Sequence, residues 1–497
     1  MYRIRVVKTS SNASAVQVVR YENRKRIVFK HIGSAHSEEE LTGLKKVARN
    51  VIENASKQIA LFEEQHSSDK IICLEKSSFL GVYYTFFYDA IISICDRMGF
   101  GRIINKLLTD LVVIRILEPA SKLRSIELIA DYFGIKHRRQ NYYKEVHQWI
   151  DLKSDIEDMA TSFASKEYAF DYNLLFYDVT TLYFETFDED GLKKHGFSKD
   201  NKPQQPQILI GLMVTKEGFP ISYEIFTGNT FEGHTILPVV KSFIKKHRVN
   251  NFTVVADAAM ISTDNIEALK QCSIHYIVGA RLGNLPMGLI DKIDKQICRE
   301  DGKVIRIQTS NGYLICSFSN ARYRKDRHEM LKQIEKAKQA IERPSKNKRL
   351  KFTKSKNEKL ELNQPLIDKT EKLLGIKGYY TDLNESEVPS KIIIERYHEL
   401  YKIEQAFRMS KHDLKSRPIY HYMDEPIQLH MLICFMALAA SKHIELKTGK
   451  SINRFLNECK KIQDARMLNK ITNKELRIRK EYTPEVWEFI QKLDLPH

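Results

Sequence analysis

Two aspartates set inside strongly apolar, β-prone runs constrain this chain more than any other feature. Asp178 lies within Asn173-Leu-Leu-Phe-Tyr-Asp178-Val-Thr-Thr-Leu-Tyr-Phe184, and Asp257 directly follows Phe252-Thr-Val-Val-Ala256. A charge inside a buried strand costs several kcal/mol unless something compensates it. Where several such acids converge, a divalent cation is the usual compensation. Each acid also has a plain structural reading. The hydroxyls of Thr180, Thr181 and Tyr183 would satisfy Asp178, and Asp257 would be a turn or cap acid.

The pattern around these acids alternates between strand and helix. Residues 174–184, 207–215, 220–226 and 251–256 read as strands, and 235–247 reads as the helix between the last two. A short helix at 265–271 and a strand at 275–279 follow. Three strands, then helix, strand, helix, strand, is the order of an RNase H-like α/β domain. Its strand–helix–strand units favour parallel pairing. The expected fold class is therefore α/β: an RNase H-like catalytic domain interrupted by an insertion subdomain, with a β-plus-helical N-terminal region and a helical C-terminal segment.

The chain has 497 residues, too many for one core, and divides by pattern into six stretches. Residues 1–75 form an N-terminal hairpin and helix region, with strands at 15–20 and 26–30 and a helix from Ser37 to about Glu64. Residues 76–165 are helical; the helix–Gly134–helix pattern, rich in Lys, Arg and Tyr, reads equally as a DNA-reading helix-turn-helix or as an ordinary helical subdomain. Residues 166–284 are the first part of the catalytic domain, and 285–386 the insertion, with a hairpin around Asn311-Gly312 and a charged helix at 322–341. Residues 387–445 are the second part, carrying Glu404, and 446–497 a charged helical end.

Eighty Lys and Arg residues outnumber sixty-three Asp and Glu, a formal net charge of +17. That excess points to a polyanion, with nucleic acid the first candidate, against the alternative of a basic protein that binds nothing. The run 346–359 holds Lys348, Arg349 and Lys351 among its basic residues. It reads as a solvated loop able to track phosphates. The seven cysteines make no Cys-x-x-Cys pair, so neither a zinc ribbon nor a disulfide framework is suggested, and the chain reads as a reducing, intracellular protein. The N-terminus lacks the apolar core of a signal peptide. The longest apolar stretch, 431–440, is too short to span a bilayer and reads as a buried helix, so no membrane is expected.

Glu404 falls in a helical stretch, with Tyr397 seven residues before it and Lys411 seven after. A continuous helix would put all three on one face, with Arg408 beside them. Such a stripe alone is most often an exposed ion-pair ladder. With the two strand acids it suits a pair of divalent cations.

Together these residues resemble the DDE triad of bacterial insertion-sequence transposases, in the type-four branch marked by a Tyr-x2-Arg-x3-Glu-x6-Lys signature. Here the segment is Tyr397-His-Glu-Leu400-Tyr-Lys-Ile-Glu404-Gln-Ala-Phe-Arg-Met-Ser-Lys411. Tyr, Glu and Lys match in register, while Leu400 stands where the signature has Arg. Gly228-Asn-Thr230 with Glu232 and Thr235, the Ala256–Ser262 block, and Arg417-Pro-Ile-Tyr-His421 before an apolar helix also resemble the family. The resemblance implies that Asp178, Asp257 and Glu404 are catalytic and hold two Mg2+ (or Mn2+) ions. It implies that Tyr397 and Lys411 contact DNA phosphates, with Arg408 the best substitute for the missing Arg. It further implies cut-and-paste transposition on terminal inverted repeats and target DNA, by a homodimer on paired ends, in the bacterial cytoplasm at the nucleoid. The alternatives are an RNase H-like nuclease without strand transfer and a domesticated, non-catalytic DNA-binding protein.

Overall fold

The computed structural model describes residues 2–9, 13–22, 25–56, 77–249, 252–260, 262–342, 350–356, 359–470 and 474–497. The chain divides into two compact units. One comprises Met1–Tyr88, Ala130–Ile135 and Asn457–Trp487; the other comprises Asp89–Ile129, Lys136–Leu456 and Glu488–His497.

The chain opens with β1 (Tyr2–Lys8), β2 (Ser14–Glu22) and β3 (Lys25–Ala35), paired antiparallel in that order. The sequence reading has the last two of these strands and lacks β1. Helix α1 (Glu38–Ser56) covers the sheet, and Val16, Val18, Ala35, Leu44 and Ala48 form the core between them. Side chains cap its start: Ser37 Oγ accepts from Glu40 N, and the Glu40 carboxylate reaches back to accept from His36 N, one residue before the cap. The expected end of this helix, beyond residue 56, lies outside the described residues. Strand β4 (Ser77–Tyr83) follows.

Five helices come next: α2 (Thr85–Arg97), α3 (Lys106–Leu117), α4 (Lys122–Phe133), α5 (Arg139–Ile150) and α6 (Lys153–Tyr168). Asn105 caps α3, accepting from Leu108 N. Every residue of α3 from Leu107 to Leu117 is buried, so it shows no apolar stripe.

The large sheet then forms. Strands β5 (Leu174–Tyr183), β6 (Gln207–Val214) and β7 (Pro220–Thr227) pair antiparallel. Through α7 (Ile236–His247), β8 (Thr253–Ala256) joins β5 in parallel; through α8 (Thr263–Gln271), β9 (His275–Ala280) joins β8 in parallel. This is the expected succession of strands and helices. Strand β6 is buried along its whole length, which is why it is apolar from Ile208 onward and does not alternate.

The segment after β9 holds α9 (Met287–Ile297), β10 (Val304–Thr309), β11 (Gly312–Phe318), α10 (Asn320–Glu342), β12 (Thr353–Lys356), β13 (Lys359–Leu362), α11 (Gln364–Lys372) and β14 (Ile376–Thr381). Strands β10, β11 and β14 extend the same sheet, whose order is β10-β11-β14-β9-β8-β5-β6-β7. Met330, Ala337, Phe352, Ile367 and Leu374 give the segment a small core of its own. Part of the basic run forms the β12–β13 hairpin; Lys346, Lys348 and Arg349 lie outside the described residues.

Two short helices follow, α12 (Ser390–His398) and α13 (Tyr401–Arg408), and then α14 (Asp424–Thr448). Helix α14 is long and apolar enough to cross a membrane by length and composition, yet 94% of its apolar window is buried within the protein. It packs against α3, α5 and β7.

The C-terminal stretch departs from the helical expectation. Between α15 (Ile452–Cys459) and α16 (Pro484–Leu493) lies a hairpin, β15 (Asp464–Asn469) and β16 (Lys474–Arg479), paired with β4. Alternation in Glu475-Leu-Arg-Ile-Arg479 is the strand signal, obscured by the density of charge.

Candidate functional site

In the parallel pairing of β5 with β8, Tyr177 stands opposite Ala256. Asp178 and Asp257, the next residue in each run, therefore project side by side from neighbouring strands about 4.8 Å apart. Each carboxylate accepts from the following backbone N–H at 2.7 Å: Asp178 Oδ1 from Val179, and Asp257 Oδ1 from Ala258. Burial pushes the Asp178 carboxyl up to about 6. The Lys199 ammonium and the Val179 N–H oppose that rise, while the charges of Asp257 and Glu232 add to it. Lys199 Nζ donates to Val179 O at 2.6 Å and pairs with Glu232 Oε1 at 2.9 Å.

The stretch carrying Tyr397, Glu404, Arg408 and Lys411 is not one continuous helix. It breaks at Glu399–Leu400, and after Arg408 it passes into a π turn, Met409–Asp413. A π turn takes an extra residue per turn, so the expected alignment of Lys411 with Glu404 is lost. Tyr397 is buried, and its hydroxyl donates to Asp257 Oδ1 at 3.3 Å. The phenol reaches that far because Gly279 has no side chain: a Cβ there would sit 2.5 Å from Tyr397 Oη. Glu404 and Arg408 are both exposed on α13. Lys411 pairs with Asp200 Oδ2 at 3.3 Å, which also lies 3.0 Å from Arg417 Nε. Burial lowers the Lys411 ammonium from the usual lysine range, with Asp200 opposing. Leu400, at the signature's Arg position, is 6% exposed and belongs to the core. Lys351 sits beside Phe352, its Nζ 5.1 Å from the ring centre, and is not gathered with the acids.

Sequence reasoning missed Lys377, on β14. Its Nζ lies 4.8 Å from the centre of the Tyr397 ring. Burial lowers its ammonium, and Arg322 adds to this, while the charges of Asp257 and Glu404 act the other way. Lys377 thus feels both the strand acid and the helix acid. Nothing local marks it, because its place depends on β14 pairing with β9.

Asp178 and Asp257 offer the hard oxygen ligands that Mg2+ takes. An added cation would relieve the poorly solvated, mutually repelling pair. Among the described residues, no three His, Cys, Asp or Glu side chains are already gathered to hold one ion.

A family model described as a transposase DDE domain matches residues 169–440, which include all three acids. Among solved structures, a cryo-EM structure of the piggyBac transposase synaptic complex with hairpin DNA is similar at a TM-score of 0.37 and 12% identity, over 76% of this chain and 69% of that one. No match emerges among curated proteins.

Proposed function

The chain belongs to the transposase DDE domain family, and on that premise we propose that it is a bacterial insertion-sequence transposase of the Tyr-x2-Arg-x3-Glu-x6-Lys branch. It binds the terminal inverted repeats of its element, cleaves the DNA and joins the 3′-hydroxyl ends to a target by a cut-and-paste route. A homodimer on paired ends carries out the reaction. The order β7-β6-β5-β8-β9, three antiparallel strands followed by two parallel to the first, supports an RNase H-like catalytic core. One observation carries the reading most: the register that sets Asp178 beside Asp257, with Tyr397 hydrogen-bonded to the second acid.

Asp178, Asp257 and Glu404 would hold two divalent ions. When bound, such ions would activate a water or 3′-hydroxyl and stabilise the leaving oxygen. The chain's own residues prepare that place. The Ala258 N–H and the Tyr397 hydroxyl fix the Asp257 carboxylate, and Lys199, held by Glu232, offsets the charge beside Asp178. Lys377, which feels the charges of both Asp257 and Glu404, would set a positive charge toward a bound phosphate. End recognition is assigned to the N-terminal residues 1–165, where Arg138, Arg139 and Lys144 on and before α5 are exposed.

The test is cleavage of an end-repeat oligonucleotide in Mg2+. Asp178→Ala, Asp257→Ala and Glu404→Ala are each expected to abolish cutting and leave repeat binding nearly intact, because affinity for DNA comes mainly from basic groups. A variant that still cuts at the wild-type rate would remove its acid from the site. A joining assay on the cut product separates transposition from simple hydrolysis.

A further inference from the structure

A second site lies away from the acids. Beyond Asp178, the chain leaving β5 touches residues before α14 through a bridge between Phe184 and Ile419. At about 3.3 Å per residue, that bridge is roughly 20 Å from the carboxylate. A cavity of about 500 Å3 opens there, lined by the end of α3, the start of α4, α5 and the 415–430 segment.

Its lining is positive and lacks a carboxylate. Arg115 and Lys122 are 4% and 3% exposed, and neither has an ion-pair partner among the described residues. Among the described residues, Arg115 Nη2 donates to Ala120 O, at 2.9 Å, and to no other group. Lys122 Nζ donates to His430 Nδ1 at 3.2 Å, and His430 Nε2 donates onward to Ser416 O at 3.0 Å. That relay fixes His430 as a neutral imidazole. Burial and the same two cations hold His421 down to about 3. Tyr142, 3% exposed, has its hydroxyl buried without a hydrogen-bond partner, also on the cavity. A buried guanidinium without an anion, a buried Lys122 amine whose charged form burial and then Arg115 disfavour, and an orphaned phenol face one space, and an anion there would relieve all three.

We propose that this cavity is a binding site for the phosphate group of a phosphate ester, held by Arg115, Lys122 and Tyr142. An anion there satisfies all three at once with charge-assisted hydrogen bonds. The cavity exceeds what one phosphate needs, and the exposed rings of Tyr143 and Tyr420 at its mouth suit an attached organic group. Phosphate esters are also the anions that a DNA-processing enzyme meets. The ester is either a phosphodiester of bound DNA or a free phosphorylated small molecule, and the two sources are separable.

The experiment uses full-length wild type, Lys122→Met and Tyr142→Phe. Thermal unfolding is followed in inorganic phosphate and in chloride of equal ionic strength. Duplex binding is measured as a function of salt. A free ester is indicated if phosphate raises the wild-type Tm saturably, Lys122→Met loses the response, Tyr142→Phe weakens it several-fold, and DNA binding is unchanged. A DNA phosphate is indicated if Lys122→Met weakens duplex binding roughly ten-fold and lowers the log–log salt slope by about one. Tyr142→Phe, which keeps the ring and the fold, decides the matter should Lys122→Met not fold. If neither variant alters the phosphate response or the DNA slope, the proposal is overturned.

Discussion

Burial acts on two titratable groups in opposite senses. Asp178 is held near 6 because its charge is poorly solvated and faces Asp257. His443 is pushed down to about 4, first by burial and then by Arg97, while its Nδ1 accepts from the Tyr168 hydroxyl at 2.7 Å. An unfolded histidine titrates near 6.5. Between pH 4 and 6.5 the unfolded chain therefore binds the extra proton. The stability tied to His443 is complete above about 6.5 and is lost as pH falls toward 4. At about 1.4 kcal/mol per unit, the loss reaches roughly 3 kcal/mol. Urea unfolding of wild type and His443→Gln at pH 5 and 7.5 checks this: the substitution is expected to flatten the slope, and equal slopes would contradict it. His421 and His430, also held low by burial, add slope of the same sign to both proteins.

At the scale of elements, the break between α12 and α13 decides which residues meet. Tyr397, Leu400 and Ile403 all turn inward around it, while Glu404 and Arg408 stay in solvent. The signature's Arg position is thus a core position in this chain, so Leu400→Arg would bury an unpaired charge. It is expected to destabilise the protein by roughly 3–5 kcal/mol and to give no gain in cleavage. Arg408→Ala, on the exposed face beside Glu404, is expected to fold normally. It should weaken single-turnover cleavage by about 1–3 kcal/mol for a lost charged hydrogen bond. Normal cleavage by Arg408→Ala would make Arg408 a surface charge only, and a folded, more active Leu400→Arg would contradict the burial argument.

At the scale of the molecule, α3 and α14 belong to one unit although some 300 residues separate them. Helix α3 is buried from Leu107 to its end, and α14 supplies a large part of its cover. A fragment ending at residue 165 retains α3 and loses α14. It is expected to unfold without a cooperative transition and to bind a hydrophobic dye, so the proposed recognition of DNA ends is tested by substitution in the whole chain. A sharp thermal transition in the 1–165 fragment would contradict this. The excess of seventeen positive charges favours such a whole chain on DNA through a strongly salt-dependent term.

Periodicity is a local property, and what it encodes was legible. The strand around Asp178, the crossover helix before β8, the hairpin at Asn311-Gly312 and the buried apolar helix follow from spacing and composition within short windows. So does the candidate pairing of Asp178 with Asp257, because parallel strands joined by a helix lie side by side. Lys377 near Tyr397, the phenol of Tyr397 on Asp257 across Gly279, the burial of Leu400, and Arg115 with Lys122 around one cavity depend on distant segments meeting. The π turn that carries Lys411 to Asp200 likewise follows no residue signal, since a helix changes register only where packing on both sides demands it. Sequence spacing set which groups could face one way; the register of strands and the seating of helices decided which of them touch.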